Sequence, residues 1–141
     1  MNCTPVVSRR GLAAGAALVA CLFAGMASAA DLKLSGANEV PPVSTAASGS
    51  GTISVAEDGA VSGSVKTSGV DGTMAHIHVG AAGANGPVIV PLTKGADGTW
   101  SVPDGAKLTA EQLAAYKAGK LYVNVHSAAN KGGEIRAQLA P

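Results

Sequence analysis

From Leu32 onward, apolar and polar positions alternate in short stretches separated by turns rich in Gly, Ser and Asp. Successive side chains of a β-strand point to opposite faces, so such a pattern fits short, half-buried strands. Leu32-Lys33-Leu34 opens the series. Residues 38–43 cannot extend it, because Pro41 and Pro42 remove donors from a strand ladder. Residues 51–55 alternate again, Glu57-Asp58-Gly59 supplies a hairpin turn of the Asp-Gly kind, and residues 61–66 form the return strand. Residues 74–79 follow the Asp71-Gly72 turn, 87–92 read as a buried run, and 99–102 follow the Asp97-Gly98 turn. Residues 121–126 and 134–139 close the series. The period changes once. Leu108, Gln112, Leu113 and Tyr116 keep a helical spacing, Thr109 with Gln112 makes a capping box, and Gly119 is placed to stop the helix. The pattern predicts an all-β fold, a sandwich or barrel, with one short helix near residues 109–118.

The first thirty positions do not share this pattern. Arg9-Arg10 precedes an unbroken small and apolar run over residues 11–26, and Ala27-Ser28-Ala29 follows as a small-x-small cleavage pattern. Positive end, apolar middle and small-residue exit describe a secretory signal peptide over residues 1–29. The run is shorter than the ~20 residues a membrane-spanning helix needs. The expected mature domain is therefore 30–141, periplasmic or secreted, without a transmembrane segment. Ser8-Arg9-Arg10-Gly11-Leu12 resembles a twin-arginine export signal, and an ordinary leader with paired arginines fits equally. Leu18-Val19-Ala20-Cys21 resembles a lipoprotein box, but the chain stays apolar through Met26, which argues against lipid anchoring at Cys21.

Removing the leader changes the composition in two useful ways. Both cysteines, Cys3 and Cys21, leave with it, so the domain must be stabilised by packing or by a bound metal rather than by a disulfide. Of ten Lys and Arg, Arg9 and Arg10 also leave, and eight remain against nine Asp and Glu. That balance gives no electrostatic reason to bind nucleic acid or anionic lipid. The domain has no Cys nucleophile, no Gly-x-Ser-x-Gly elbow and no phosphate-binding Walker loop. Residues 80–86 are glycine-rich but no helix follows to cradle a phosphate. These absences favour binding over catalysis.

The chemistry left is carried by histidine. All three histidines of the chain fall in two of the expected strands. Met74, His76 and His78 share one face, opposite Ala75, Ile77 and Val79; Tyr122, Asn124 and His126 share another, opposite Leu121, Val123 and Val125. With the aliphatic faces in the core and the two strands side by side, the polar faces join into one three-imidazole surface. Three neutral imidazoles ligate copper or zinc, and a thioether at Met74 favours copper. Glu39 and Glu134 are further candidate ligands or supports. The competing reading makes the histidines polar residues on a wet sheet face, bonded to Asn124, Tyr122 or loop carbonyls, with Glu134 and Arg136 pairing on the surface. The two histidine strands also continue alike. Ile77-His78 leads through Ala84-Asn85-Gly86 into residues 88–92, and Val125-His126 leads through Asn130 and Gly132-Gly133 into residues 135–139.

Residues 34–43, LSGANEVPPV, with Ala75-His76-Ile77-His78-Val79-Gly80, and residues 121–127 with Gly132-Gly133-Glu134-Ile135-Arg136, together resemble the CHRD domain over about residues 32–139. That resemblance implies an immunoglobulin-like Greek-key β-sandwich or barrel and a binding module rather than a defined activity. The two histidine strands are also similar to the copper-binding strands of copper/zinc superoxide dismutase, although the cysteine pair, zinc loop and bridging histidine have no counterpart. Three functions are consistent with these residues. One is an exported binding module, whose partner is a metal ion or an unidentified extracytoplasmic protein. The others are a dismutase-like copper redox protein and a structural protein of the cell envelope or matrix.

Overall fold

The computed structural model describes residues 28–141; the expected leader, apart from its last two positions, lies outside the described residues. Nine strands form one antiparallel sheet: β1 (Ser28–Ser35), β2 (Ser48–Val55), β3 (Val61–Ser68), β4 (Gly72–Val79), β5 (Val88–Pro91), β6 (Thr93–Lys94), β7 (Thr99–Ser101), β8 (Leu121–Ser127) and β9 (Ile135–Leu139). Their order is β5-β4-β8-β9-β1-β2-β3-β7-β6. The two edge strands, β5 and β6, are consecutive in the chain and separated only by Leu92, whose amide donates to Ala75 O on β4. The sheet thus curls into a nearly closed barrel, which gives the all-β expectation its form.

Alternation fills the barrel as anticipated. Leu32, Leu34, Ile53, Val65, Ile77, Val123 and Ile135 are buried together with Trp100. The single helix, α1 (Ala110–Lys117), has the expected capping box: Thr109 Oγ1 accepts from Gln112 N, and Gln112 Oε1 accepts from Thr109 N. Its last turn closes through Gly119 N to Tyr116 O and Lys120 N to Ala115 O, with Gly119 at φ 70°. That left-handed position is the one a Cβ disfavours, which accounts for the glycine. Tyr116 is buried and ties the helix to Ala140 O.

Three local expectations need correction. Residues 87–92 are not a buried run: Val88 is 49% exposed, whereas Val90 and Leu92 are buried. The segment is an edge strand paired only with β4, and its register shifts opposite Ile77 and His78, so Val88 at its start lies in water. The two-residue strand β6 carries no alternation long enough to read. β1 begins four positions before Leu32, and Ser28 and Ala29 pair with Val55 and Ser54.

Candidate metal centre

β4 and β8 are adjacent and antiparallel, with Met74 opposite His126, His76 opposite Asn124, and His78 opposite Tyr122. The register therefore brings the two polar faces together. It leaves only their Met74 side wet. Every residue of β8 is buried, and His78 and His126 are each 7% exposed. The loop over residues 80–87, the loop over 128–134 and Glu39 cover this face, and none of them is announced by alternation within a strand.

The covering loops supply the anchors. His78 Nδ1 lies 2.9 Å from Gly86 O, and His126 Nδ1 lies 2.8 Å from Lys131 O. A carbonyl only accepts, so both Nδ1 atoms carry the proton and both Nε2 atoms present a lone pair. His76 Nδ1 stands 3.0 Å from His126 Nε2 and donates to it. His78 Nε2 is buried with no partner at all. One nitrogen from each ring falls within 4.8 Å of the others. Bonds of ~2.0–2.1 Å around a tetrahedral ion put ligand nitrogens about 3.4 Å apart. The three histidines could hold a metal ion with their rings drawn somewhat closer than they stand here. Anchoring of Nδ1 to a backbone carbonyl is the usual support for an imidazole that ligates through Nε2.

The surroundings fix the rings and their charge state. Tyr122 stacks on His78 at 4.7 Å between centroids with 3° between planes, and its hydroxyl accepts from Gly86 N at 3.1 Å. On Tyr122 also rests the Arg136 guanidinium, 3.9 Å from the ring centroid. Burial pushes His76 and His78 below the usual imidazole value; the neighbouring histidines lower His76 further, whereas the Gly86 carbonyl partly offsets the shift at His78. Both rings are thereby kept neutral, the form that ligates.

The additional candidates separate. Met74 lies across from His126 on the same face and is 51% exposed, at the solvent side of the cluster. Glu39 and Glu134 are not among the grouped ligand atoms. Glu134 accepts from Thr45 Oγ1 at 2.7 Å, and hydrogen bonds from Ser127 and Thr45 hold its carboxyl below the ordinary range. Nor does Glu134 pair with Arg136 on the surface. Arg136 is buried and its Nε donates to Glu39 Oε2 at 3.1 Å, with side chains 3% and 2% exposed. Its other nitrogens donate to Ala84 O and Asn85 Oδ1, which clamps the loop that carries Gly86. Burial raises Glu39 above its usual value against the pull of Arg136. The sequence signal for this pair was weak, because the partners are 97 positions apart. Asn124, 1% exposed with an unpartnered Oδ1, is the site residue that side-chain type alone did not single out.

Among the described residues no helix is long and apolar enough to cross a membrane. The family model of the CHRD domain matches residues 31–139. Comparison with curated proteins and with solved structures gives no match.

Proposed function

Because this chain belongs to the CHRD domain family, we propose that it is an exported, non-catalytic binding module that holds one transition-metal ion, copper in preference to zinc, through His76, His78 and His126. The observation that carries this reading is the anchoring of two imidazoles by loop carbonyls, which leaves the Nε2 of His126 against His76 and the Nε2 of His78 buried and unpartnered. A wet polar face would have no reason to bury such an atom, since an unmet buried acceptor costs ~1–3 kcal/mol. Copper is favoured by the thioether of Met74 across from His126, because soft sulfur selects Cu(I) while imidazole suits both oxidation states. Export rests on the leader pattern of residues 1–29 and would place the domain in the periplasm or outside the cell.

The adjacency of a His-x-His strand and a Val-His strand also supports a dismutase-like redox role, but the chain's three histidines leave none to serve as a bridging imidazole. The test is a titration of chelator-stripped protein with Cu(I), Cu(II) and Zn(II), read by equilibrium dialysis and thermal melting. One equivalent of copper should bind more tightly than zinc, and His78→Ala should abolish binding. Identical melting curves with EDTA, copper and zinc would leave an exported module whose partner is a protein of the envelope or matrix.

A further inference from the structure

The β4–β5 and β8–β9 hairpins are related by a local twofold axis that passes between His76 and Asn124. The register shows it: His76 pairs with Asn124, and on either side Met74 pairs with His126 and His78 with Tyr122. Rotation about that axis exchanges His78 with His126 and Met74 with Tyr122, and it exchanges His76 with Asn124. The surroundings obey the same operation. Each of His78 and His126 sends Nδ1 to a carbonyl of the loop that comes after it, and β5 and β9 pair back on the outer sides of β4 and β8. Of the six positions that share this face, 74, 76, 78, 122, 124 and 126, three carry imidazole and one, Asn124, carries a carboxamide.

That carboxamide is held for the same task. Asn124 is 1% exposed, and its Oδ1 has no partner. Its Nδ2 points to the opposite side, 3.4 Å from Gly132 O. A Cβ placed on Gly133 would collide with both Asn124 Nδ2 and Glu39 Oε1, so these two atoms crowd one spot and only glycine leaves them room. Glu39, fixed by Arg136, therefore stands beside the amide nitrogen, and the oxygen is left without a partner on the face where Asn124 pairs with His76.

We propose that Asn124 Oδ1 is the fourth ligand of the metal ion, on the buried side of the three imidazoles, with the Arg136–Glu39 pair as its positioning support. This rests on the metal reading above. A neutral amide oxygen is a hard donor, which binds Cu(II) or Zn(II) but adds little for Cu(I). The inner amide and the outer thioether of Met74 thus make opposite demands, and Asn124 is the residue that gives the site its hold on the oxidised ion.

Competition titrations with Cu(II) and Cu(I) chelators on the wild type, Asn124→Leu and Asn124→Asp test this. Asn124→Leu should weaken Cu(II) by about 10- to 100-fold while leaving Cu(I) within ~3-fold, and Asn124→Asp should restore the Cu(II) preference. Equal weakening of both ions would show a merely structural role and overturn the proposal, as would no change in either. A second readout needs no variant. Cu(II)-loaded wild type labelled with 13C in the asparagine carboxamide should show a 13C hyperfine coupling in pulsed EPR, and its absence would also overturn the proposal. Copper binding that requires His78 but ignores Asn124 sinks this inference alone, whereas a wild type that binds no copper sinks the metal reading with it.

Discussion

At the centre of the β4–β8 pair both faces are largely removed from water, with His76 partly and Met74 half exposed at the rim of one, and the two are built on opposite principles. On one, Ala75, Ile77, Val123 and Val125 are at most 1% exposed and ask for nothing but contact. On the other, His78, Tyr122, Asn124 and His126 are at most 7% exposed and carry hydrogen-bonding atoms. Among the described residues, the buried side-chain atoms without a partner are Glu39 Oε1, His78 Nε2 and Asn124 Oδ1, and all three belong to the second face or cover it. Apolar residues of similar size would pack there with less cost. Sites that break the rule of satisfied burial are where function is expected, because stability has been given up for something else.

That contrast can be broken in several ways, and the losses differ in size. The greatest is expected from Arg136→Ala, which should destabilise the metal-free protein by ~3–5 kcal/mol, because it strands the Glu39 carboxylate in the interior; urea denaturation would measure it. A loss below 1 kcal/mol would mean that Glu39 is neutral without its partner. On the aliphatic face, Ile77→Ala should cost ~2–5 kcal/mol by opening a cavity, yet leave copper stoichiometry unchanged in any molecules that remain folded. Copper at a hundredfold excess over Kd should raise stability by ~2.7 kcal/mol, and His78→Ala should erase that gain in calorimetry. Tyr122→Phe keeps the ring between His78 and Arg136 but loses the bond from Gly86 N, and should cost ~1 kcal/mol.

Acid sharpens the same contrast. His76 and His78 titrate below the ordinary imidazole value, so they remain neutral at a pH where free histidine is already half protonated. Copper should therefore stay bound at pH 6.5 and be released below it as the rings finally charge, which dialysis across pH 7.5 to 5 would follow. In the metal-free protein the unfolded chain takes up protons near pH 6.5 that these two folded imidazoles refuse. Their contribution to stability thus falls as pH drops below about 6.5. Glu39 acts in the opposite sense. Its raised folded value means that it contributes stability at low pH, which is lost as pH rises through that value. A His76→Gln, His78→Gln double variant should flatten the acid decline in stability.

How much of this was legible in the sequence depends on the range of the interactions. The helix could be read to its caps because Thr109, Gln112 and Gly119 act within a few residues of one another. The shared face of His76 and His78 follows from strand geometry, and the adjacency of β4 and β8 is a single further step that the structure supports. What lay beyond reach was the cover. Nothing local to Arg136 says that it passes over the nearby Glu134 for Glu39, and nothing in residues 80–86 says that Gly86 O will meet a histidine ring. Strand alternation tells which side chains stand together; it is silent on whether water or another loop stands above them. Val88 failed for the converse reason, since an apolar run does not reveal where its strand shifts register and starts in water.

The single residue that links β5 to β6 has a consequence for life at high concentration. With its ends tethered at Leu92, the curled sheet finishes in strands only four and two residues long, and Pro91 interrupts one of them. Neither end offers another copy much of a rail on which to add a strand, so crowding should not seed fibres from these two strands. For a domain proposed to meet its ligand outside the cytoplasm, far from ATP-driven chaperones, such short margins are a built-in protection against its own kind.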